Sequence, residues 1–150
     1  MSTGAAESRR LPGSILFLCG QNAIRSPMAE ALATAHLPRT VLVRSAGIIR
    51  GERDGFADAV IAERGLPLPG HDPRSLDEME DDLIDLVVTL SDAARERADE
   101  WARTAPVAVE HWPIDDPSMV AGKRDQRLDA YRAVRDEIER RIVERFEMNG

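Results

Sequence analysis

The chain contains 150 residues, of which 43% are hydrophobic, and it carries a formal net charge of -7 at pH 7. A chain of this length buries enough apolar surface for one core, so we expect a single domain. The acidic balance argues against general binding to nucleic acid or to an anionic membrane, and the only cysteine excludes an intramolecular disulfide and a cysteine-based zinc site.

The N-terminal segment, residues 1–12, is polar and rich in small residues, so we expect it to be flexible and the domain to span residues 13–150. It has no signal-peptide pattern, and the apolar runs elsewhere are far shorter than the roughly 18 residues of a membrane span. A lone thiol is also typical of a reducing compartment. The sequence therefore predicts a cytoplasmic protein, and no residue pattern requires a metal or another cofactor.

Four short apolar segments predict the strands of a sheet. Residues 14–19, 40–45 and 83–90 are almost continuously apolar, which is typical of strands buried on both faces. Residues 106–112 form a shorter fourth candidate.

Helical patterns separate these segments. Ser26 and Pro27 suit the N-cap and the first position of a helix that ends near His36. The next helix, within residues 54–65, is expected to end at Gly65.

The remaining helices also carry start signals. Residues 75–78, Ser-Leu-Asp-Glu, form a capping box ahead of a short acidic helix, and Ser91 followed by Asp92 opens a helix that runs to about Ala102. Apolar residues at steps of three and four indicate a long amphipathic last helix; they are Leu128, Tyr131, Val134, Ile138, Ile142 and Phe146. Strands that alternate with helices predict an α/β fold, with a doubly wound, four-stranded parallel sheet and helices on both faces.

Cys19 ends the first predicted strand, next to the turn where a doubly wound sheet binds phosphates. The phosphate-binding loop predicted after this strand consists of Gly20, Gln21, Asn22, Ala23, Ile24, Arg25 and Ser26. Its backbone N–H groups can face inward, the following helix presents its positive end, and the planar fork of Arg25 suits two oxygens of a tetrahedral dianion. These features predict an oxyanion site.

The same surroundings favour the thiolate form of Cys19. A thiolate there can attack phosphorus in line and form a phosphocysteine, while Arg25 and the loop N–H groups hold the displaced charge. Ser26 can donate its hydroxyl to the sulfur as well as cap the helix. Taken singly, an inert packed Cys19 and a solvated Arg25 remain the alternatives.

This order of residues resembles the signature of the low-molecular-weight protein tyrosine phosphatases and of the arsenate reductases that share their fold. In that signature a strand leads to Cys, five residues, Arg-Ser and a helix that often begins Pro-Met-Ala-Glu, which matches residues 19–31 here. The similarity continues through SAG (45–47), VVTLSD (87–92) and HWPIDDP (111–117) to the final helix, so it spans nearly the whole chain. It implies a phosphatase-type phosphate-binding loop after the first strand.

A carboxylic acid is needed above the nucleophile, because an expelled tyrosinate or alkoxide must gain a proton. Asp-Pro pairs occur at Asp72 and Asp116. Asp116 is favoured because it follows the fourth strand, and because the acid of the resembled family immediately precedes a proline there; Asp115 is the reserve. The predicted catalytic residues are therefore Cys19, Arg25 and Asp116.

The resemblance also implies supporting roles for Asn22, Ser45 and His71. In the family, an asparagine of the loop takes a strained backbone angle and is held by a serine and a histidine. Asparagine tolerates a positive φ, which fits Asn22. By contrast, His36 and His111 are expected to be ordinary turn or surface histidines.

Several positions depart from the family pattern. Many of its phosphatases have a second cysteine where Ile24 stands, and Gln21 replaces the usual glycine. They also have tyrosines after the acid's proline, where this chain has Ser118 and Met119. The aromatic side chains that would pack against a phosphotyrosine ring are therefore absent from these two positions. The thioredoxin-coupled arsenate reductases need two further cysteines, the first where Ser91 stands. An intramolecular disulfide relay is therefore impossible, and arsenate reduction would need an external small thiol.

The leading prediction is a phosphomonoester hydrolase that acts through a phosphocysteine and resembles a protein tyrosine phosphatase. Its expected partners are a phosphorylated protein or a small aryl phosphate, with no nucleic acid or membrane partner. Phosphate, sulfate, vanadate and arsenate are the oxyanions expected in the loop. The alternatives are an arsenate reductase or arsenate-thiol transferase that uses an external thiol, and a catalytically weak phosphate-binding protein.

Overall fold

The structure, a computed structural model, describes residues 11–21, 23–67, 69–70, 72–79 and 83–147. The segment predicted to be flexible, residues 1–12, lies outside these residues except for its last two.

Four parallel strands form one sheet in the order β2-β1-β3-β4. The strands are β1 (Ser14–Cys19), β2 (Leu42–Gly47), β3 (Leu86–Thr89) and β4 (Ala108–His111). In the register of the sheet, Cys19 pairs with Gly47, and Leu18 pairs with Thr89. The predicted four-stranded parallel sheet is confirmed, and its carboxyl edge gathers the ends of all four strands.

Helices cover both faces of the sheet. The α-helices are α1 (Arg25–His36), α2 (Gly55–Ala62), α3 (Asp92–Ala102) and α4 (Arg124–Ile142), with a π-helical turn, Val143–Glu147, after the last one. Short 3₁₀ helices cover Leu76–Met79 and Pro117–Met119. The hydrophobic clusters place α1, α2 and α4 on one face and α3 on the other.

Strand β1 lies at the centre of the core, and all six of its residues are buried. Ile15, Phe17 and Cys19 face the cluster under α1 and α4, whereas Leu16 and Leu18 face the cluster under α3. Burial of each large apolar side chain contributes about 1.5–3 kcal/mol, so the strand is held firmly from both sides. This packing fixes the direction in which the Cys19 side chain points.

The bounds of three strands differ from the predicted ones, and β4 is shorter than the predicted residues 106–112. β2 begins at Leu42, whose amide donates to the carbonyl of Gly13, and it extends two residues beyond the predicted end. β3 begins at Leu86, well after the predicted start, because the side chain of Asp85 accepts hydrogen bonds from the amides of Gly13 and Ser14. The Asp85 carboxylate thus takes the place of the backbone hydrogen bonds that would join the two strands at that point.

The helix signals after β2 are confirmed. Ser91 caps α3 by accepting a hydrogen bond from the amide of Ala94 at 3.2 Å, and Gly65 takes a φ of 68° at the end of the turn after α2. Glu78 accepts from the amide of Ser75 at 2.7 Å, as a capping box requires, and a single 3₁₀ turn follows. All the apolar positions predicted for the last helix are buried.

Candidate active site

A cavity of about 390 Å³ opens at the carboxyl edge of the sheet, beside the end of β1. Its walls come from the predicted loop and from the segment after β4, and its lining residues are Cys19, Gly20, Gln21, Ala23, Ile24, Arg25, Asp116, Ser118 and Met119. The three predicted catalytic residues therefore line one cavity. The loop residue Asn22 lies outside the described residues.

The sulfur of Cys19 has a hydroxyl partner. Cys19 is 3% exposed, and its Sγ lies 3.0 Å from Oγ of Ser26, which also donates to the carbonyl oxygen of Ala46 at 3.2 Å. A thiol can donate to Ser26 while Ser26 donates to Ala46. A thiolate has no proton to give, so the hydroxyl would turn towards the sulfur. The Ser26 hydroxyl thus lies where it can stabilise a negative charge on Cys19.

The prediction that Ser26 is the N-cap of the first helix is wrong. α1 begins one residue earlier, at Arg25, and the cap position is Ile24, which forms no side-chain cap. Ser26 lies inside the first turn, with its hydroxyl bound to Cys19 and Ala46. The positive end of α1 consequently lies beside the sulfur.

Backbone carbonyl groups that follow β3 and β4 hold the guanidinium of Arg25. Its Nη1 donates to the carbonyl oxygen of Ile114 at 2.8 Å and to that of Leu90 at 3.4 Å. Arg25 also lines the cavity, so its other N–H groups are the ones that can bind an anion there. Sequence reasoning missed this anchoring, because carbonyl groups leave no residue-type signal.

The segment after β2 supports the base of the loop. The carbonyls of Cys19, Gly20 and Gln21 accept from the amides of Ile48, Ile49 and Gly51, respectively. Gly51 approaches so closely that a Cβ at this position would lie 2.7 Å from the Cβ and the carbonyl oxygen of Gln21. Sequence reasoning missed Gly51, whose only signal is a glycine a few residues beyond the second strand.

Asp116 begins the short helix Pro117–Met119 as its N-cap. Its Oδ1 accepts hydrogen bonds from the amide of Ser118 at 2.9 Å and from the hydroxyl of Ser118 at 2.7 Å. The carboxyl group is partly exposed and faces the same cavity as the Cys19 sulfur.

The other candidate acids lie elsewhere. Asp115 is exposed and lines a different cavity, against α4. Asp72 belongs to the segment that leads to an isolated bridge beside β2. Of these three described carboxylates, Asp116 is the one that lines the cavity around Cys19.

Ser45 is buried on β2, and its hydroxyl donates to Oε1 of Glu30 at 2.7 Å. Glu30 is 9% exposed, so α1 carries a buried carboxylate that ties the helix to the strand. Sequence reasoning missed Glu30, although a charged residue among the small apolar residues of α1 is a usable signal. The supporting roles of Asn22 and His71, and the link between Ser45 and Asn22, stay predictions because Asn22 and His71 lie outside the described residues.

The two described histidines, His36 and His111, are partly buried and hydrogen-bonded rather than freely exposed at the surface. Nε2 and Nδ1 of His36 lie 2.8 Å and 2.7 Å from the carboxylates of Glu139 and Glu147. Partial burial acts to lower the pKa of His36, but the hydrogen bonds to these carboxylates outweigh it and hold the pKa above its ordinary value. Nδ1 of His111 lies 2.8 Å from the hydroxyl of Thr89.

The described residues contain no membrane-spanning helix and no metal-binding cluster of side chains. No helix there is long and apolar enough to cross a bilayer. Within the same residues, no group of three or more His, Cys, Asp or Glu side chains is arranged to hold a metal ion. Arg25 supplies the positive charge among the residues that line the cavity.

Comparisons with known proteins find similarity along almost the whole chain. The family model described as low molecular weight phosphotyrosine protein phosphatase matches residues 14–147. Among curated proteins, an arsenate reductase from Bacillus licheniformis is 36% identical over 141 residues, which cover 91% of this chain and 96% of that protein.

Solved structures of the same fold carry names of different activities. An arsenate reductase from Archaeoglobus fulgidus is 34% identical, with a TM-score of 0.67, and the match covers 87% of this chain and 96% of that one. An arginine phosphatase from Geobacillus stearothermophilus is 29% identical, with a TM-score of 0.68, and the match covers 89% of this chain and 90% of that one.

Proposed function

The chain belongs to the low molecular weight phosphotyrosine protein phosphatase family, and we propose that it is a phosphomonoester hydrolase that acts through a phosphocysteine on Cys19. The observation that carries this proposal is the cavity that Cys19, Arg25 and Asp116 line together. A nucleophile, a group that binds the dianion and a proton donor are the three components that the reaction requires.

In the first step, the sulfur of Cys19 attacks phosphorus in line with the leaving oxygen. The S–P bond forms as the P–O bond breaks, and the leaving oxygen keeps the electron pair and takes a proton from Asp116. Arg25 and the loop N–H groups bind the equatorial oxygens, where negative charge accumulates. The carbonyl of Ile114 supports this role because it holds Nη1 of Arg25 and leaves the rest of the fork for the phosphoryl group.

In the second step, water attacks the phosphocysteine. Asp116, now ionised, takes a proton from the water molecule while the oxygen of that water bonds to phosphorus. The S–P bond breaks, the sulfur recovers the electron pair, and phosphate leaves. The hydroxyl of Ser26, 3.0 Å from the sulfur, stabilises the thiolate that departs.

The substrate we propose is a phosphorylated protein or a small aryl phosphate. Phosphate, sulfate, vanadate and arsenate share the tetrahedral shape that the loop and Arg25 would bind, so each should occupy the same cavity. Because one relative is named an arginine phosphatase, a phosphoarginine peptide belongs in any substrate panel.

Arsenate reduction is the second candidate, since a relative at 36% identity is named an arsenate reductase. Cys19 would displace water from arsenate and form a sulfur–arsenic bond. A small external thiol would then attack the Cys19 sulfur, so that arsenite leaves with two electrons and a mixed disulfide remains. A second thiol would restore Cys19, and both electrons would come from the two external thiols.

A substrate panel tests both candidates. Wild-type protein and Cys19→Ser are incubated with nitrophenyl phosphate, a phosphotyrosine peptide and a phosphoarginine peptide, and separately with arsenate and a small thiol. The hydrolase proposal expects phosphate release by the wild-type protein alone. Arsenite formation without phosphate release would establish the second candidate instead, and binding without either product would point to a phosphate-binding protein.

A further inference from the structure

The residue after the Asp116–Pro117 pair forms a short hydrogen bond with the carboxyl group that the proposed mechanism uses as an acid. Oγ of Ser118 donates to Oδ1 of Asp116 at 2.7 Å, and the amide of Ser118 donates to the same oxygen at 2.9 Å. We propose that Ser118 is a positioning residue for the general acid: it occupies Oδ1, so that Asp116 carries and delivers its proton on Oδ2. This inference rests on the proposed phosphatase function.

The hydrogen-bond count at Oδ1 supports this assignment. A carboxyl oxygen has two lone pairs, and both lone pairs of Oδ1 are engaged by the donors on Ser118. A proton on Oδ1 would break at least one of these bonds. The proton of the neutral acid therefore belongs on Oδ2, and the two hydrogen bonds restrict rotation of the carboxyl group.

The location of Ser118 connects this pair to the reaction. Ser118 and Asp116 both line the cavity that contains Cys19. The backbone beneath them is fixed, because Pro117 is buried and begins the short helix that Asp116 caps. Ser118 itself is exposed, so its hydroxyl can be removed without opening the core.

Loss of the hydroxyl should change how strongly the rate depends on the leaving group. Without the Ser118 hydroxyl, one of the two donors that hold Oδ1 of Asp116 is lost, so the carboxyl group can rotate away from the departing oxygen. A phenolate must be protonated as it leaves, whereas a nitrophenolate departs with little protonation, so the loss should be larger for phenyl phosphate.

The test compares Ser118→Thr with Ser118→Val, two side chains of the same shape of which only one has a hydroxyl. The measurement is kcat/KM for a series of aryl phosphates from nitrophenyl to phenyl phosphate. Ser118→Val should lose roughly tenfold on phenyl phosphate, which needs a well-placed proton, and much less on nitrophenyl phosphate. Ser118→Thr should retain the wild-type leaving-group slope.

Two outcomes overturn the inference, and they are distinguishable. If Ser118→Val and Ser118→Thr show the same dependence on leaving-group pKa while Asp116→Asn shows a steep one, Ser118 does not position the acid and the proposed phosphatase function stands. If Asp116→Asn keeps the wild-type slope, Asp116 is not the acid, and the role of Ser118 fails with it. Thermal unfolding of the Thr and Val variants, which share a β-branched shape, controls for effects on the short helix.

Discussion

Nη1 of Arg25 lies 2.8 Å from the carbonyl oxygen of Ile114, so the guanidinium at the start of α1 is joined to the residue just before the Asp115–Asp116 pair. The contact connects the phosphate-binding loop to the segment that carries the proposed acid. Nη1 of the guanidinium donates to the backbone, while its other N–H groups remain available for an anion. This arrangement depends on the planar, forked shape of the guanidinium.

Arg25→Lys should lose most activity, because an ammonium group lacks the planar fork that donates in parallel to two phosphoryl oxygens while another N–H binds the Ile114 carbonyl. We expect kcat/KM for nitrophenyl phosphate to fall by roughly 10²–10³. Arg95→Lys, an exposed position on α3, is the matched control and should leave the kinetics unchanged. Near-wild-type turnover by folded Arg25→Lys would remove Arg25 from the mechanism.

Cys19→Ser should abolish turnover and retain oxyanion binding, because Cys19 is the only thiol in the chain and the cavity walls are otherwise intact. Calorimetric titration with vanadate or phosphate measures the binding, and phosphate release measures the turnover. More than trace hydrolysis by the variant would contradict a covalent intermediate on Cys19.

Asp116→Asn should harm substrates with poor leaving groups far more than those with good ones, because a nitrophenolate departs with little protonation and a phenolate does not. The proton transfer contributes roughly 10²–10⁴ in rate, which bounds the expected loss. Asp115→Asn, whose side chain lines a different cavity, should show the wild-type dependence on leaving-group pKa. A steep dependence in Asp115→Asn would transfer the role of acid to that residue.

Gly51→Ala should destabilise the protein and disturb the loop, because the new Cβ would lie 2.7 Å from the Cβ and the carbonyl oxygen of Gln21. We expect a decrease of about 1–3 kcal/mol in the free energy of unfolding, measured with urea, and a higher KM. Gly55→Ala is the control, because a Cβ at position 55 would meet no atom within 4 Å. Equal stability of the two variants would show that the loop adapts to the extra carbon.

The stability of the protein should depend on pH through His36. The pKa of His36 is higher in the folded protein than in the unfolded chain, where it is about 6.5. Below the unfolded-state pKa, the ion pairs with Glu139 and Glu147 stabilise the fold fully. This stabilisation is lost as the pH rises through the folded-state pKa. His36→Gln should therefore lower the Tm most at acidic pH. The difference in Tm between the two proteins, followed from about pH 5 to about pH 9, should shrink with rising pH; a constant difference would exclude the charge on His36 as its cause.

The sheet and the three proposed catalytic positions could be predicted because their signals are local or topological. β1 is a continuous apolar run, Cys19 ends it, and Arg25 follows after a loop of fixed length. Asp116 is predicted on two grounds: it follows the fourth strand, whose end lies at the edge that parallel strands share, and the resembled family has its acid immediately before a proline there.

The contacts that refine the site could not be predicted, since they join residues far apart in sequence or use groups that every residue has. The carbonyl of Ile114 belongs to the backbone, and the pairing of Ser45 with Glu30 depends on how α1 packs against β2. The error at Ser26 has a different origin, because a serine is equally suited to cap a helix and to contact a sulfur atom. The structure separates the two roles: α1 begins at Arg25, so Ser26 lies inside the helix and its hydroxyl contacts Cys19.

The carbonyls that hold Arg25 belong to the second half of the chain, and this has a consequence for synthesis on the ribosome. A nascent chain that has released β1, α1 and β2 already contains the proposed nucleophile, but it lacks the carbonyl groups of Leu90 and Ile114 that orient Arg25. Contacts across such long sequence separations also form slowly after the chain is complete. The proposed nucleophile is thus made early, whereas the contacts that orient Arg25 can form only when translation has passed the fourth strand.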